Sequence, residues 1–254
     1  MKFIRKVLPQ AYYAKLRRLY LPLAARLGRR NLRRLAELYG TDKVFGHNYI
    51  EVYSRHFAEF RSLPVTFLEI GVGGYDDPNA GGQSLKMWRD YFYKGRIHAL
   101  DIYDKSPHQG GRIRIYQGSQ ADRNCLEGIH RETGDFDLIV DDGSHMNEHI
   151  VSSFEILFPL LTAGGVYVVE DIQTAYWPSY GGQAVPGAEG TAISFFRKLA
   201  DGLNHAEYLV PGYEPTYYDR NILSLHFYHN MVVIHKGANT APSNLVSNGI
   251  LQPH

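Results

Sequence analysis

Three patterns in this 254-residue chain predict an α/β fold built on a mostly parallel sheet. Short apolar runs recur with helical stretches between them from Val65 to Val169. Two of these runs stop abruptly at paired acids, Val140-Asp141-Asp142-Gly143-Ser144-His145 and Val169-Glu170-Asp171. After them, two aromatic and apolar segments join at His229-Asn230, as an antiparallel hairpin would. Regular strand–helix alternation implies right-handed crossovers and a parallel core, and the hairpin adds two strands at one edge.

The elements follow in order. Val65–Ile70 reads as the first strand, followed by the turn Gly71-Val72-Gly73-Gly74 and a helix opening near Ser84–Trp88. Arg96–Leu100 is the second strand, ending at Asp101, and Arg112–Tyr116 the third, ending in Gly118-Ser119-Gln120. Phe136–Val140 and Gly165–Val169 are the fourth and fifth, with a helix around His149–Leu161 between them. Leu223–Tyr228 and Met231–His235 make seven strands in all.

Residues 1–36 hold eleven Lys and Arg and no Asp or Glu, so the remainder carries a net charge of about −10 behind an overall +1. Leu16, Leu19, Tyr20 and Leu23 fall at i, i+3, i+4 and i+7, which predicts an amphipathic helix that Pro9 and Pro22 should break or kink. The expected organisation is a basic helical N-terminal arm over 1–37, a domain over 38–237 and a polar tail over 238–254. The arm is expected to pack on its own domain or a sister subunit in a homo-oligomer, with weak contact to an anionic membrane surface through residues 1–36 as the alternative. No nucleic-acid motif accompanies the charge. No apolar run is long enough to span a bilayer, and the single Cys125 fits a reducing, cytoplasmic compartment.

In an open α/β sheet the carboxyl ends of the strands face the ligand crevice. Asp141, Asp142, Glu170, Asp171 and His145 should therefore converge on one rim as a hard-cation site with a base beside it. Gly71 and Gly73 let the first turn approach a ligand, and Asp101 stands where it would accept ribose hydroxyls. The turn lacks the full G-x-G-x-x-G because Asp76 takes the last position, which disfavours a pyrophosphate ligand. A carboxylate such as Glu69 suits the sulfonium and ammonium of S-adenosyl-L-methionine, and Gln120 could reach the adenine. Asp141 is expected to support rather than bind, and His149 to orient rather than ligate. Tyr176, Trp177 and Tyr180 follow the second acidic end in a Gly- and Pro-rich loop that could close over a substrate, with Tyr213, Tyr217 and Tyr218 as weaker candidates for the same pocket.

Several motifs in one order resemble the metal- and S-adenosylmethionine-dependent sugar O-methyltransferases from about Leu38 to Lys236. They are Tyr39-Gly40-Thr41-Asp42-Lys43 with His47 and Tyr49, Glu69–Tyr75, Gly81–Leu85 with Trp88, Asp101–Ser106, Gly118–Gln120, Asp142–His145, Glu170-Asp171 and Ser224–Asn230. The resemblance implies a class I methyltransferase, Rossmann-like fold. It also implies Asp142, Glu170 and Asp171 as ligands of Mg²⁺ or Mn²⁺, and His145 as general base. Thr41, Tyr49, Glu69, Gly71, Gly73, Ser84, Asp101, Ser119, Gln120 and Asp142 would line the cofactor. The macrolide type carries a longer N-terminal domain than this arm, so the acceptor stays open between an antibiotic deoxysugar and a mannose- or rhamnose-containing polysaccharide, with a slight lean toward an oligosaccharide. Two alternatives stand beside this reading: a methyltransferase-like metal-dependent hydroxylase using one His and two carboxylates, and a non-catalytic polyanion- or membrane-binding module.

Overall fold

A computed structural model describes residues 20–252 of the chain. Its centre is a seven-stranded sheet in the order β3-β2-β1-β4-β5-β7-β6. The strands are β1 (Thr66–Ile70), β2 (Arg96–Asp101), β3 (Ile113–Gln117), β4 (Phe136–Asp141), β5 (Leu161–Glu170), β6 (Ile222–Tyr228) and β7 (Met231–Lys236). β1 to β5 pair in parallel, while β7 runs antiparallel to both β5 and β6. The parallel core and the terminal hairpin are those expected from the chain's patterning.

β1, β4 and β5 are buried on both faces and carry Val, Leu, Ile and Phe without polar alternation through their central residues, as strands covered on both sides do. Successive side chains enter opposite layers. Phe67, Leu138, Val140, Val166 and Val168 pack with helices α1 (Leu32–Tyr39), α3 (Ile50–Phe57) and α4 (Gln83–Tyr91). Leu68, Ile70, Ile139, Tyr167 and Val169 pack with α5 (Arg123–Thr133), α6 (Asn147–Leu157) and α7 (Ala192–Gly202). The short α2 (Asp42–Phe45) lies between α1 and α3, and α8 (Tyr217–Asn221) leads into β6. The register sets Ile70, Asp141 and Val169 side by side, so Gly71, Asp142 and Glu170 leave the sheet at one level. Strand order reverses between β1 and β4, which opens the crevice there.

Several boundaries differ from those expected. α6 ends at Leu157 rather than Leu161, because Pro159 cannot continue a helix, and β5 starts at Leu161 rather than Gly165. Residues 20–28 are helical, so Pro22 does not break the arm there. Its phase is also shifted: Ala24 and Ala25 are buried whereas Tyr20 and Leu23 are exposed. Pro9, Leu16 and Leu19 lie outside the described residues. The polar tail closes a small hairpin, Val246–Ser247 against Ile250–Leu251. Among the described residues, no helix is long and apolar enough to cross a membrane.

Candidate active site

Each acidic strand end splits its pair. Strand alternation turns Asp141 into the layer below, where it accepts from Ser153 Oγ at 2.6 Å and Gln120 Nε2 at 3.0 Å. Asp142 turns into the crevice. At the other end Glu170 is buried, and Asp171 faces the crevice. Asp171 (φ 53°) and His145 (φ 56°) both adopt the left-handed conformation that non-glycine residues seldom take. Strain of this kind persists where surrounding structure imposes it, and here it aims one side chain from each loop at the same point. His145 Nε2 lies 4.0 Å from Asp142 Oδ1 and 3.9 Å from Asp171 Oδ2. The two carboxylates are spaced to share an ion, with the imidazole beside them.

A lysine that the sequence reading gave no role sits underneath. Lys43, on α2, is fully buried, with Nζ 2.6 Å from Glu170 Oε1, 2.7 Å from Asp142 Oδ2 and 3.4 Å from Glu69 Oε1. Burial alone would strip its proton, but the carboxylates of Asp142, Glu170 and Glu69 outweigh that and hold the ammonium firmly charged. Tyr53 also donates to Glu170 Oε1. Of the three carboxylates that the resemblance implies as ligands, Asp142 and Asp171 thus meet His145 directly, while Glu170 is drawn one layer deeper by Lys43 and Tyr53. Burial, with Asp142 close by, pushes the Glu170 carboxyl well above the usual carboxylate range, and Lys43 opposes that rise.

Glu69 stands at the end of β1, completely buried, accepting from Ser84 Oγ at 2.8 Å and Trp88 Nε1 at 3.1 Å. Burial lifts its pKa to about 7 despite the pull of Lys43. Gly71 (φ 92°) must be glycine, since a Cβ there would overlap the Asp142 carbonyl oxygen where the β1 and β4 loops cross. Gly73 shares the left-handed conformation in the turn and is exposed. Asp101 is half-buried and anchors this turn, its Oδ2 accepting from Val72 N at 2.8 Å. Ser119 is half-buried at the end of β3, where its Oγ accepts from Ala121 N.

Three of the expected cofactor contacts are committed elsewhere in this arrangement. Gln120 is buried, with Nε2 on Asp141 and Oε1 accepting from Ser144 N at 2.7 Å, so it braces the β4 loop rather than opening toward an adenine. Tyr49 donates to Asp171 Oδ1 at 2.6 Å and stacks on His47, whose Nδ1 lies 3.1 Å from the same oxygen, which puts it on the carboxylate side. Thr41 is buried, and its Oγ1 caps α2 through Lys43 N. Tyr53 was open to recognition: it follows Tyr49 by four residues, so both phenols share one face of α3. Lys43 stands within the Tyr39–Lys43 motif, but no periodicity distinguishes it from a surface lysine, so the sequence does not mark its role.

His149 Nδ1 pairs with Ser144 Oγ at 2.9 Å, an orienting contact beside His145. Tyr176 and Trp177 are exposed on the loop after β5, and Trp177 stands 5.8 Å from the Tyr180 ring. Asn147, buried at the start of α6, staples this loop: Nδ2 donates to the Thr174 and Tyr180 carbonyls and Oδ1 accepts from Ala192 N. Tyr217 and Tyr218 do not belong to the crevice. They precede β6 at the opposite edge of the sheet and pack on Phe158 and Phe154. Tyr213 donates to Asp219 in the same region.

No protein-family model matches the chain. The chain is 47% identical over 212 residues to the mycinamicin VI 2''-O-methyltransferase of Micromonospora griseorubida, a match covering 82% of this chain and 53% of that protein. It is 45% identical over 207 residues to the 8-demethyl-8-α-L-rhamnosyl tetracenomycin-C 2'-O-methyltransferase of Streptomyces olivaceus, covering 81% and 54%. A methyltransferase of the mycinamycin biosynthetic pathway, solved in complex with Mg and S-adenosylhomocysteine (SAH), superposes with a TM-score of 0.81 at 46% identity over 84% of this chain and 56% of that one. The same enzyme with Mg, SAH and mycinamycin VI gives a TM-score of 0.80 at 45% identity over 85% of this chain and 56% of the other. The chain spans about half the length of the relatives it matches. Fold, motif order and identity agree that over these residues the chain has the class I methyltransferase fold and is similar to sugar O-methyltransferases.

Proposed function

We propose that this protein transfers a methyl group from S-adenosyl-L-methionine to a hydroxyl of a sugar in a glycoside, with Mg²⁺ or Mn²⁺ bound beside the acceptor. The observation that carries this is the convergence of Asp142, Asp171 and His145 at the switch point, with Glu69 buried behind them. Oxygen-only carboxylate ligands suit a hard divalent cation, and Glu170 completes the set that the family motif implies. The charges also fit. Glu69, Asp142 and Glu170 surround one ammonium, Lys43, and Asp171 adjoins Asp142, so the site carries an excess of three negative charges when all are ionised. A divalent cation and the net single positive charge of S-adenosylmethionine would together match it.

When bound, the cofactor supplies an electrophilic methyl group and the metal lowers the proton affinity of a coordinated sugar hydroxyl. The chain's own part is positional and acid–base. Tyr49 and His47 fix Asp171, Lys43 and Tyr53 fix Glu170, and the crossing of Gly71 with Asp142 holds the glycine turn against the carboxylates. His145, a quarter exposed, takes the hydroxyl proton on its imidazole as oxygen attacks. The exposed Tyr176 and Trp177 offer a sugar-stacking face beside the crevice. The acceptor is a deoxysugar, rhamnose or mannose unit, and the setting a reducing cytoplasm suited to the free Cys125, with assembly as a homo-oligomer.

The deciding experiment measures methylation of a panel of rhamnosides, mannosides and deoxysugar glycosides with labelled S-adenosylmethionine. It is run with and without chelator, and with His145→Ala. Loss of turnover in both arms is expected. Undiminished turnover in both overturns the reading.

A further inference from the structure

Away from the crevice, three imidazoles meet between α3 and the edge hairpin. His56 comes from the last turn of α3, His226 from β6 and His235 from β7. His235 pairs with Ser224 and His226 with Val233, so the two strand histidines are diagonal neighbours on one sheet face. His56 Nδ1 lies 2.8 Å from His235 Nε2, and the three ring centroids are 4.9, 5.0 and 5.4 Å apart. One nitrogen from each ring lies within 4.8 Å of one from each of the others.

Oxygen atoms hold the outer side of this cluster. His56 Nε2 is 2.9 Å from Tyr228 Oη, and His226 Nε2 is 3.0 Å from Ser224 Oγ. Metal-bound histidines almost always use their second nitrogen in this way, which fixes ring and tautomer. Two imidazoles can share one N–H, but three ring nitrogens brought to one spot cannot all be paired by it. We infer that His56, His226 and His235 form a site for a borderline transition-metal cation, Zn²⁺ foremost, separate from the carboxylate site.

Imidazole nitrogen suits Zn²⁺ and discriminates against Mg²⁺, which takes oxygen. Tetrahedral Zn–N bonds of about 2.0–2.1 Å set the nitrogens roughly 3.3 Å apart, so the His56–His235 pair opens slightly and His226 closes in. Three histidines leave the fourth position for water. A cavity of about 560 Å³ lined by Glu59, Phe60, Leu223 and His235 borders the trio on the His235 side. The same α3 carries Tyr53, which holds Glu170, so an ion at the trio ties the wall of the crevice to the edge hairpin.

The test titrates untagged, chelator-stripped protein with Zn²⁺ by calorimetry and with Co²⁺ by visible absorption. The Asp142→Asn/Asp171→Asn background keeps the carboxylate site from contributing. One ion per chain is expected, with a rise in Tm that millimolar Mg²⁺ does not reproduce. His226→Gln and His235→Gln should each weaken binding at least tenfold and abolish the cobalt band. His226→Cys, which restores a ligand, should retain both, and this separates lost ligation from misfolding. Binding unchanged in the Gln variants, or absent from the parent, overturns the site.

Discussion

β4 and β5 both end in two acids, and in both pairs one carboxylate is 2% exposed while its neighbour faces the crevice. Asp141 is compensated by neutral donors, the Ser153 hydroxyl and the Gln120 amide. Glu170 is compensated by a cation, Lys43, and by the Tyr53 hydroxyl. Neutral donors satisfy one group locally, so Asp141 works as a strut that shapes the β4 loop. Lys43 is shared with Asp142 and Glu69, so a change at Glu170 is felt by every charge in the site. Equal burial at equivalent strand ends therefore does not mean equal roles; the nature of the partner decides.

The largest effect is expected where the outward carboxylates meet the base. His145→Ala should lower kcat by about 10²–10⁴, the usual contribution of a positioned general base, while the dissociation constant for Mg²⁺ changes less than threefold. A collapse of metal affinity alongside kcat would make His145 a ligand and break its separation from the carboxylates. Next in size is Lys43→Met. Removing the ammonium leaves Asp142, Glu170 and Glu69 facing one another in a buried site, a loss of about 3–5 kcal/mol by urea unfolding. A loss below about 1 kcal/mol would show that Glu170 does not depend on the cation.

Two isosteric changes then sharpen the contrast. Asp141→Asn places an amide N–H against the Gln120 amide and should cost about 1–3 kcal/mol of stability with metal affinity unchanged. Glu170→Gln relieves repulsion from Asp142, so the ligand-free Tm should hold or rise while metal affinity falls at least tenfold by calorimetry. Matching responses in the two variants would erase the distinction drawn here.

Much of this architecture was legible because it rests on local chemistry. Continuous apolar runs ending in acids mark parallel strands feeding a crevice, and His229-Asn230 between aromatic runs marks the hairpin, with Asn230 in the left-handed conformation at its turn. The roles inside the site were less legible, because they depend on what lies across the fold. Lys43 meets Glu170 over 127 positions of sequence, and Gln120 meets Asp141 over 21. Only packing shows that Gln120 turns inward, that Tyr49 serves Asp171, and that Tyr217 and Tyr218 stand at the far edge of the sheet. The arm's helical stripe was misplaced because its small residues, Ala24 and Ala25, make the close contact while Leu23 stays outside.

The smallest expected effect comes from a third kind of buried polar group, one with almost no compensation. His98 on β2 is 7% exposed; among the described residues its Nε2 has no hydrogen-bond partner, and Nδ1 reaches Tyr116 Oη at only 3.4 Å. Burial pulls its pKa down to about 4, with Arg96 adding to the effect. An unfolded histidine titrates near 6.5, so between about pH 6.5 and 4 the unfolded chain binds the proton that the folded chain refuses. Stability from this residue is complete above that window, falls as pH drops through it and levels off below. His98→Phe, which keeps a ring against Tyr116, should therefore flatten the decline of Tm between pH 6.5 and 4.5. Some decline remains, because His56 and His235 are lowered in the same way. A Tm–pH curve parallel to that of the parent across the window would show that His98 is charged in the fold, and that burial without a partner is less costly on this sheet than the contrast between Asp141 and Glu170 implies.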